Sequence, residues 1–285
     1  MNFEKFIGID WSGAYGNSHK AIQVAVCEIG ESQPEIQYNS SSEYWSRSSL
    51  LDWLSNQLIS HRSLVGIDFS FSMPFVDMTS FLPGTRKVIN GPESLWCLVE
   101  EVSYKDDDFY AGSFAKKSFY REYFQFPGYV GKKFEPRLRI TEKFCKFKKL
   151  GSPVSFFNLI GPKQVGLGSL SGMRFLNKLK SNVPGISIWP FNSPSFSTIV
   201  EIYPQSFLIR STQSWKKSRD MQSLRNVLSY FNSDIKSNYT NNDDNKSDAI
   251  VSSAALRHLS SDNSLWSQEL LNKSFSRFEG WIFGT

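Results

Sequence analysis

GIDWSG, residues 8–13, sets an acid at the end of an apolar alternation and a small-residue turn directly behind it. Within KFIGID (5–10), Phe6, Gly8 and Asp10 share one face and Ile7 and Ile9 the other, the period of two that marks a strand. The tripeptide returns in SLVGIDFS (63–70) as Gly66-Ile67-Asp68. In both strands glycine and acid share a face, and the glycine leaves room beside the acid. Between them, KAIQVAVCEI (20–29) and EIQYN (35–39) read as two more strands, separated by turn residues around Gly30 and Pro34. SSLLDWLSNQLIS (48–60) then carries Leu50, Leu51, Leu54 and Leu58 at helical spacing behind Ser48 or Ser49 as cap. An antiparallel meander followed by a helix supplies the crossover that a parallel neighbour requires. Paired in parallel, the two G-I-D strands bring Asp10 and Asp68 to one carboxyl edge, where open α/β sheets place their ligands.

The rest of the chain is consistent with one α/β domain over 1–285. ISIWPF (186–191) and STIVEIYP (197–204) read as strands; in the second, Ile199, Glu201 and Tyr203 share a face and Pro204 stops the ladder. Helices are expected over 168–181 and 220–234. SDIKSNYTNNDDNKSD (233–248) is polar and reads as a loop. It leads into a last helix capped by Ser247, with Asp248 in its first turn and alanines that permit close approach to a sheet. Residues 75–185 hold many Pro and Gly breaks and read as a long insertion folded against the core.

Composition narrows the classes. Of 285 residues, 40% are hydrophobic and 15% aromatic, values of a globular protein. No apolar run has membrane-spanning length, and MNFEKFIGID lacks the apolar core of a signal peptide. Cys27, Cys97 and Cys145 form no CxxC pair, which suggests neither a disulfide framework nor a zinc site. A reduced, cytoplasmic protein with its cysteines buried is expected. The net charge of +5 is unevenly placed: eleven basic and three acidic residues between Lys116 and Lys149 give that segment +8 and leave −3 elsewhere.

Asp10, Asp68, Glu201 and Asp248 are the candidate site. Gathered together, four carboxylates repel one another, and a hard divalent cation, Mg²⁺ or Mn²⁺, relieves that repulsion. Two such ions suit phosphodiester hydrolysis. The basic segment, including Lys132 and Lys133, offers attraction to a phosphate backbone, and its interleaved aromatics offer stacking platforms. Plainer roles compete for each residue. Strand-end acids form turns, Glu201 suits a solvent-facing strand position, and Asp248 suits the positive end of its helix. The basic segment suits a solvated face with its aromatics turned inward. His19, His61 and His258 are scattered and make no constellation.

In their order, GIDWSG (8–13), GIDFSFSMP (66–74), RITE (139–142), GPKQVGLGSLSG (161–172), IWPF (188–191), VEIYP (200–204), SDAIVSSAAL (247–256) and EGWIFG (279–284) resemble a family of predicted ribonuclease H-like nucleases catalogued as a domain of unknown function. The resemblance implies a ribonuclease H-like α/β fold. That fold has a five-stranded mixed sheet of order 3-2-1-4-5, with strand 2 antiparallel, helices on both faces, and here a large insertion between strands 4 and 5. It implies that Asp10, Asp68 and Asp248 hold the metal, with Glu201 on a family motif. It makes Arg139, Glu142, Lys163 and Gln164 substrate-side candidates. Many ribonuclease H-like enzymes carry an acid in the first helix; here Asp52 is the only one, and its flanking leucines give no reason to prefer it. Either Glu201 substitutes or the metal site is incomplete.

The leading expectation is therefore a metal-dependent nuclease. A non-catalytic nucleic-acid or protein binding module on the same fold, with a partner on the aromatic insertion, is the alternative. An actin-like ATPase or phosphotransferase is less favoured, because GIDFSFSMP lacks the phosphate-loop glycines and the chain is short for two such domains.

Overall fold

A computed structural model describes residues 2–30, 33–161, 164–212, 221–235, 239, 243–266 and 275–285. The meander forms as its alternation requires: β1 (Lys5–Asp10), β2 (Gln23–Glu28) and β3 (Glu35–Gln37) pair antiparallel in sequence order. The crossover helix α1 (Arg47–Ser60) begins one turn earlier than the leucine spacing marks. Its cap is Ser46, whose hydroxyl accepts from the Ser49 amide at 2.9 Å, while the Ser49 hydroxyl accepts from the Ser46 amide. β4 (Ser63–Ile67) then lies parallel to β1, with Gly8 opposite Gly66 and Ile9 opposite Ile67.

The insertion folds as α2 (Pro92–Ser103), a π-helical turn and a 3-10 turn over 113–123, the hairpin β5 (Gln125–Phe126) and β6 (Tyr129–Val130), α3 (Ile140–Phe147) and α4 (Gly166–Asn182). After it come β7 (Ser187–Ile188), β8 (Thr198–Glu201), α5 (Pro204–Thr212), α6 (Met221–Tyr230), α7 (Asp244–Leu259) and the short helices α8 (Asn263–Trp266) and α9 (Ser276–Glu279). Among the described residues the main sheet has six strands in the order β3-β2-β1-β4-β8-β7, with β2 antiparallel to its neighbours. The expected order 3-2-1-4-5 is present with β8 in fifth place. The sixth strand is the ISIWPF stretch, which pairs outside β8 through only Ser187 and Ile188 before Pro190, lacking an N–H, ends it.

Alternation divides the sheet into two packed faces. Ile7, Ile9, Val24, Val65, Ile67 and Ile199 face α1, α2 and α4. Phe6, Ala25, Leu64, Val200 and Ile202 face α5, α6 and α7. The insertion belongs to the first of these cores: Phe81, Leu95, Phe114, Phe124, Phe156 and Phe157 are buried in it. No helix among the described residues is long and apolar enough to cross a membrane.

α7 begins at Asp244, with Asp243 as its cap, so Asp248 lies in the second turn and not at the helix start. Cys27 and Cys145 are buried, whereas Cys97 is exposed on α2. The reading of 75–185 as a broken insertion with one helix over 168–181 lacks α2 and α3, and α5 beyond it is not expected either, because short helices between Pro and Gly breaks leave little periodicity to read.

Candidate functional site

The two G-I-D aspartates sit side by side. Ile9 pairs with Ile67, and the Asp68 amide donates to the Ile9 carbonyl at 3.1 Å, so Asp10 and Asp68 follow matched positions at the carboxyl edge of β1 and β4. The glycines explain what lies beside them. A Cβ on Gly8 would stand 2.4 Å from the Ala249 carbonyl oxygen and 2.6 Å from the Ser253 amide nitrogen. Only a bare backbone lets α7 approach β1 this closely. A Cβ on Gly66 would stand 2.6 Å from Ile202 and 2.9 Å from Leu256 on the same side. Asp10, two residues after Gly8, therefore points to the α7 face, and it is 8% exposed.

Asp248 precedes the alanine whose carbonyl meets Gly8, so α7 carries it to the same face of the sheet; it is 7% exposed. It also lines a crevice of about 10 Å³ with Leu208, Leu224 and Val251, between α7 and the α5–α6 pair. Among the described residues no three His, Cys, Asp or Glu side chains converge closely enough to hold a metal ion. Among the described residues, Asp10 and Asp68 are the carboxylates that the β1–β4 register brings to matched positions. That donor set suits Mg²⁺ or Mn²⁺, which is commonly bound by one or two carboxylates while keeping several waters.

Glu201 does not join them, and the register says why. It pairs with Ile67, not with Gly66, and so points to the opposite face of the sheet. There its oxygens accept from Arg139, Nη2 to Oε1 at 2.5 Å and Nη1 to Oε2 at 2.8 Å, and from the Phe71 amide at 2.9 Å. Arg139 also donates from Nε to Glu142 at 3.0 Å and from Nη1 to the Glu279 carbonyl at 2.9 Å. Glu142 in turn accepts from the Arg139 amide at 2.8 Å, and Glu279 from the amides of Phe75, Val76 and Ile140. Burial opposes the charge on Arg139, but Glu201 and Glu142 outweigh it and hold the guanidinium above its ordinary range. Burial pushes the Glu142 carboxyl up despite Arg139.

Arg139 and Glu142, expected on the substrate side, are thus interior residues, 0% and 2% exposed. They join β8, the 70–76 loop, α3 and the C-terminal stretch. Gln164 is exposed just before α4, and Lys163 lies outside the described residues.

Both loops that follow the G-I-D strands dock on the start of α4. Trp11 Nε1 donates to the Gly168 carbonyl at 2.9 Å and to Ser171 Oγ at 3.2 Å. A Cβ on Gly13 would stand 2.2 Å from the Gly168 amide nitrogen. The Ser70 amide donates to Ser169 Oγ at 3.0 Å. The GIDWSG, GIDFSFSMP and GPKQVGLGSLSG stretches therefore meet around one helix N-terminus, the positive end of its dipole.

From the other side, the fully buried Arg47 donates to the Ser12 and Ala14 carbonyls at 2.7 Å each and to the Asp108 carbonyl at 2.9 Å. Burial lowers Arg47 to about 10, which leaves it charged at neutral pH. The Asp108 carboxylate accepts from His19 Nε2 at 3.0 Å and from the Arg47 and Ser48 amides at 2.9 and 2.8 Å. It thereby caps α1 from outside the helix. Burial disfavours its charge, but these hydrogen bonds outweigh the penalty and bring it down to about 2.

On the Asp68 side stands Tyr203, which sequence reasoning did not single out. Burial first, then Cys145 and Asp68 nearby, push its phenol up. Its ring lies against Gly151, where a Cβ would stand 2.7 Å from the ring edge. Gly151 lies two residues past Lys149, at the lysine-rich end of α3, where Lys146, Lys148 and Lys149 are all exposed. Burial also pushes the Cys145 thiol up to about 12, so it is no nucleophile at neutral pH.

Lys132 and Lys133 are exposed elsewhere on the insertion; the Lys133 ammonium lies 5.0 and 5.1 Å from the Phe119 and Tyr123 ring centres. Most of the segment's aromatics turn inward. Tyr120, Tyr123 and Phe124 are buried and Phe126, Tyr129, Phe134 and Phe144 half-buried, leaving Phe119 and Phe147 exposed. Arg137 is interior too, bound to Asp77 at 2.6 Å and to the Pro74, Ser80 and Phe81 carbonyls. Comparison with known proteins finds no matching family model, no matching curated protein and no matching solved structure.

Proposed function

We propose that the chain is a ribonuclease H-like nuclease that hydrolyses phosphodiester bonds of nucleic acid at the edge formed by Asp10 and Asp68. The observation that carries this reading is the matched register of β1 and β4. It sets two carboxylates from sequence-distant repeats next to each other, at the end of a sheet where α/β folds bind ligands. Asp10 and Asp68 would hold Mg²⁺ or Mn²⁺, which would supply positive charge to a phosphoryl group under attack. Asp248, on the same face, would orient water or the leaving group from α7.

The remaining residues act on substrate placement. Trp11, Gly13 and Ser70 fix both loops against α4, so the carboxylates are held on a rigid frame. The α4 N-terminus supplies a fixed positive dipole near the developing charge. The lysines at the end of α3 attract the phosphate backbone by charge, without regard to sequence. Glu201 contributes rigidity through Arg139 and not chemistry.

The test is cleavage of labelled single-stranded and duplex oligonucleotides with Mg²⁺ or Mn²⁺, by the wild type and by Asp10→Asn and Asp68→Asn. The expected result is metal-dependent cleavage that both substitutions abolish with the melting temperature kept. Cleavage retained by both variants refutes the assignment. Oligonucleotide binding without cleavage by the wild type identifies a binding module instead.

A further inference from the structure

The strand order lays a row of side chains along one edge of the sheet. From β3 to β8 the row reads Tyr38, Gln23, Asp10, Asp68, Ile202. β2 runs opposite to the rest, so its first residue, Gln23, pairs with the last residue of β1, Asp10. Tyr38 follows the last residue of β3, and Ile202 directly follows β8, with Tyr203 one residue beyond the row. Five adjacent strands span about 19 Å at their usual spacing.

The Tyr38 end of this row opens into a cleft of ≈ 410 Å³, within the range of about 300–1,000 Å³ typical of ligand pockets. Gln23 lines it, next to Asp10, together with Lys20, Tyr44, Tyr38 and, from α7, Lys246. The Tyr38 ring is 69% exposed and the Lys246 ammonium stands 5.7 Å from its centre. Two acids also line the cleft, and both have local partners. Asp243 caps α7 through the Asn245 amide at 2.9 Å, and Glu43 is hydrogen-bonded with the Tyr44 phenol.

We infer that this cleft seats one base of a single-stranded nucleic acid next to the phosphate at Asp10 and Asp68, with Tyr38 as the stacking platform. The inference rests on the nuclease reading and specifies its substrate as single-stranded at this end. An exposed aromatic flanked by two lysines matches a base between two phosphates. The Gln23 amide lines the cleft and is fixed there by donating to the Lys20 carbonyl at 2.7 Å. A duplex offers no splayed base to enter such a cleft, whereas a single strand does. At the far end of the row Lys146, Lys148 and Lys149 receive the backbone beyond Asp68.

The experiment measures binding of a fluorescein-labelled single strand of about twelve nucleotides, and of the matching blunt duplex, with EDTA present so that no cleavage intervenes. Tyr38→Ala is expected to weaken single-strand binding between about five- and a hundredfold, and Tyr38→Phe to retain it. Lys20→Ala and Lys246→Ala are each expected to lower the salt dependence of binding by about 0.7 in log–log slope. Tyr38 is exposed, so an unchanged melting temperature accompanies these effects. If the wild type binds the strand and Tyr38→Ala binds equally well, the cleft is not the base site and the nuclease reading stands. If the duplex binds more tightly than the single strand, the single-stranded assignment fails. If the wild type binds neither, the cleft assignment falls, and the metal-dependent cleavage assay decides the nuclease reading separately.

Discussion

Glu201 lies in register with Ile67, one residue short of Asp68, and its carboxylate is consequently turned through the sheet to Arg139 on the far side. A shift of a single residue in pairing separates a metal ligand from a structural ion pair, because the side-chain period of a strand is two. The interior cluster that results holds one guanidinium against Glu201 and Glu142, with Glu279 close behind on backbone amides.

Removing the cation from that cluster is expected to be severe. Arg139→Met leaves Glu201 and Glu142 buried without their counter-charge and should cost about 3–5 kcal/mol. Urea unfolding checks it. The double variant Arg139→Met with Glu201→Gln should recover part of the loss, since one stranded charge is gone. A cost below about 1 kcal/mol for Arg139→Met would contradict the network.

Asp108 sets an acid limit on stability. Its folded carboxyl titrates at about 2, below the ordinary 3.8, so it binds a proton less readily folded than unfolded. Its stabilisation is therefore complete above about pH 5 and is lost as pH falls from about 4 through 2. Allowing for solvent screening, roughly 1–2 kcal/mol is at stake. Asp108→Asn should lower stability at neutral pH and flatten the fall in that window. A melting-temperature profile of both proteins between pH 2 and 7 reads this directly, and parallel profiles would exclude the role.

Gly8 is required by packing and not by its backbone angle. Gly8→Ala drives a methyl into the α7 backbone and should destabilise by at least about 2 kcal/mol. Gly91→Ala is the control: its backbone is extended, and nothing lies within 4 Å of the added Cβ. Equal stability of the two variants would mean that α7 yields easily.

The lysines of the insertion should not be equivalent. Charge reversal at Lys146, Lys148 and Lys149, just before the Gly151 that packs on Tyr203, should reduce oligonucleotide affinity and flatten its salt dependence more than reversal at Lys132 and Lys133. Titrations at several salt concentrations measure both slopes. A larger effect at Lys132 and Lys133 would move the substrate path to the hairpin side.

How far the sequence reached depends on the range of the interactions involved. The meander strands and α1 follow from local periodicity, and the repeated G-I-D marked the edge that β1 and β4 share once they pair in parallel. The glycines at 8 and 66 read as room left beside the acids, and α7, whose alanines read as permitting close approach, is what fills that room. The facing of Glu201 was not legible, because a strand's register against its neighbour is a tertiary property. Nor was the fate of Arg137 and Arg139. Counting charge along 116–149 gives the segment's sign but not which guanidiniums turn inward. The Arg47–Asp108–His19 set joins residues up to 89 apart and leaves no spacing to recognise.

The most direct measurement is anomalous diffraction from crystals soaked in Mn²⁺ with a short single-stranded oligonucleotide. The account predicts a manganese peak bonded to both Asp10 and Asp68, with a phosphate beside it. Manganese bound only elsewhere, or no peak at that edge while the oligonucleotide is visible, would contradict it.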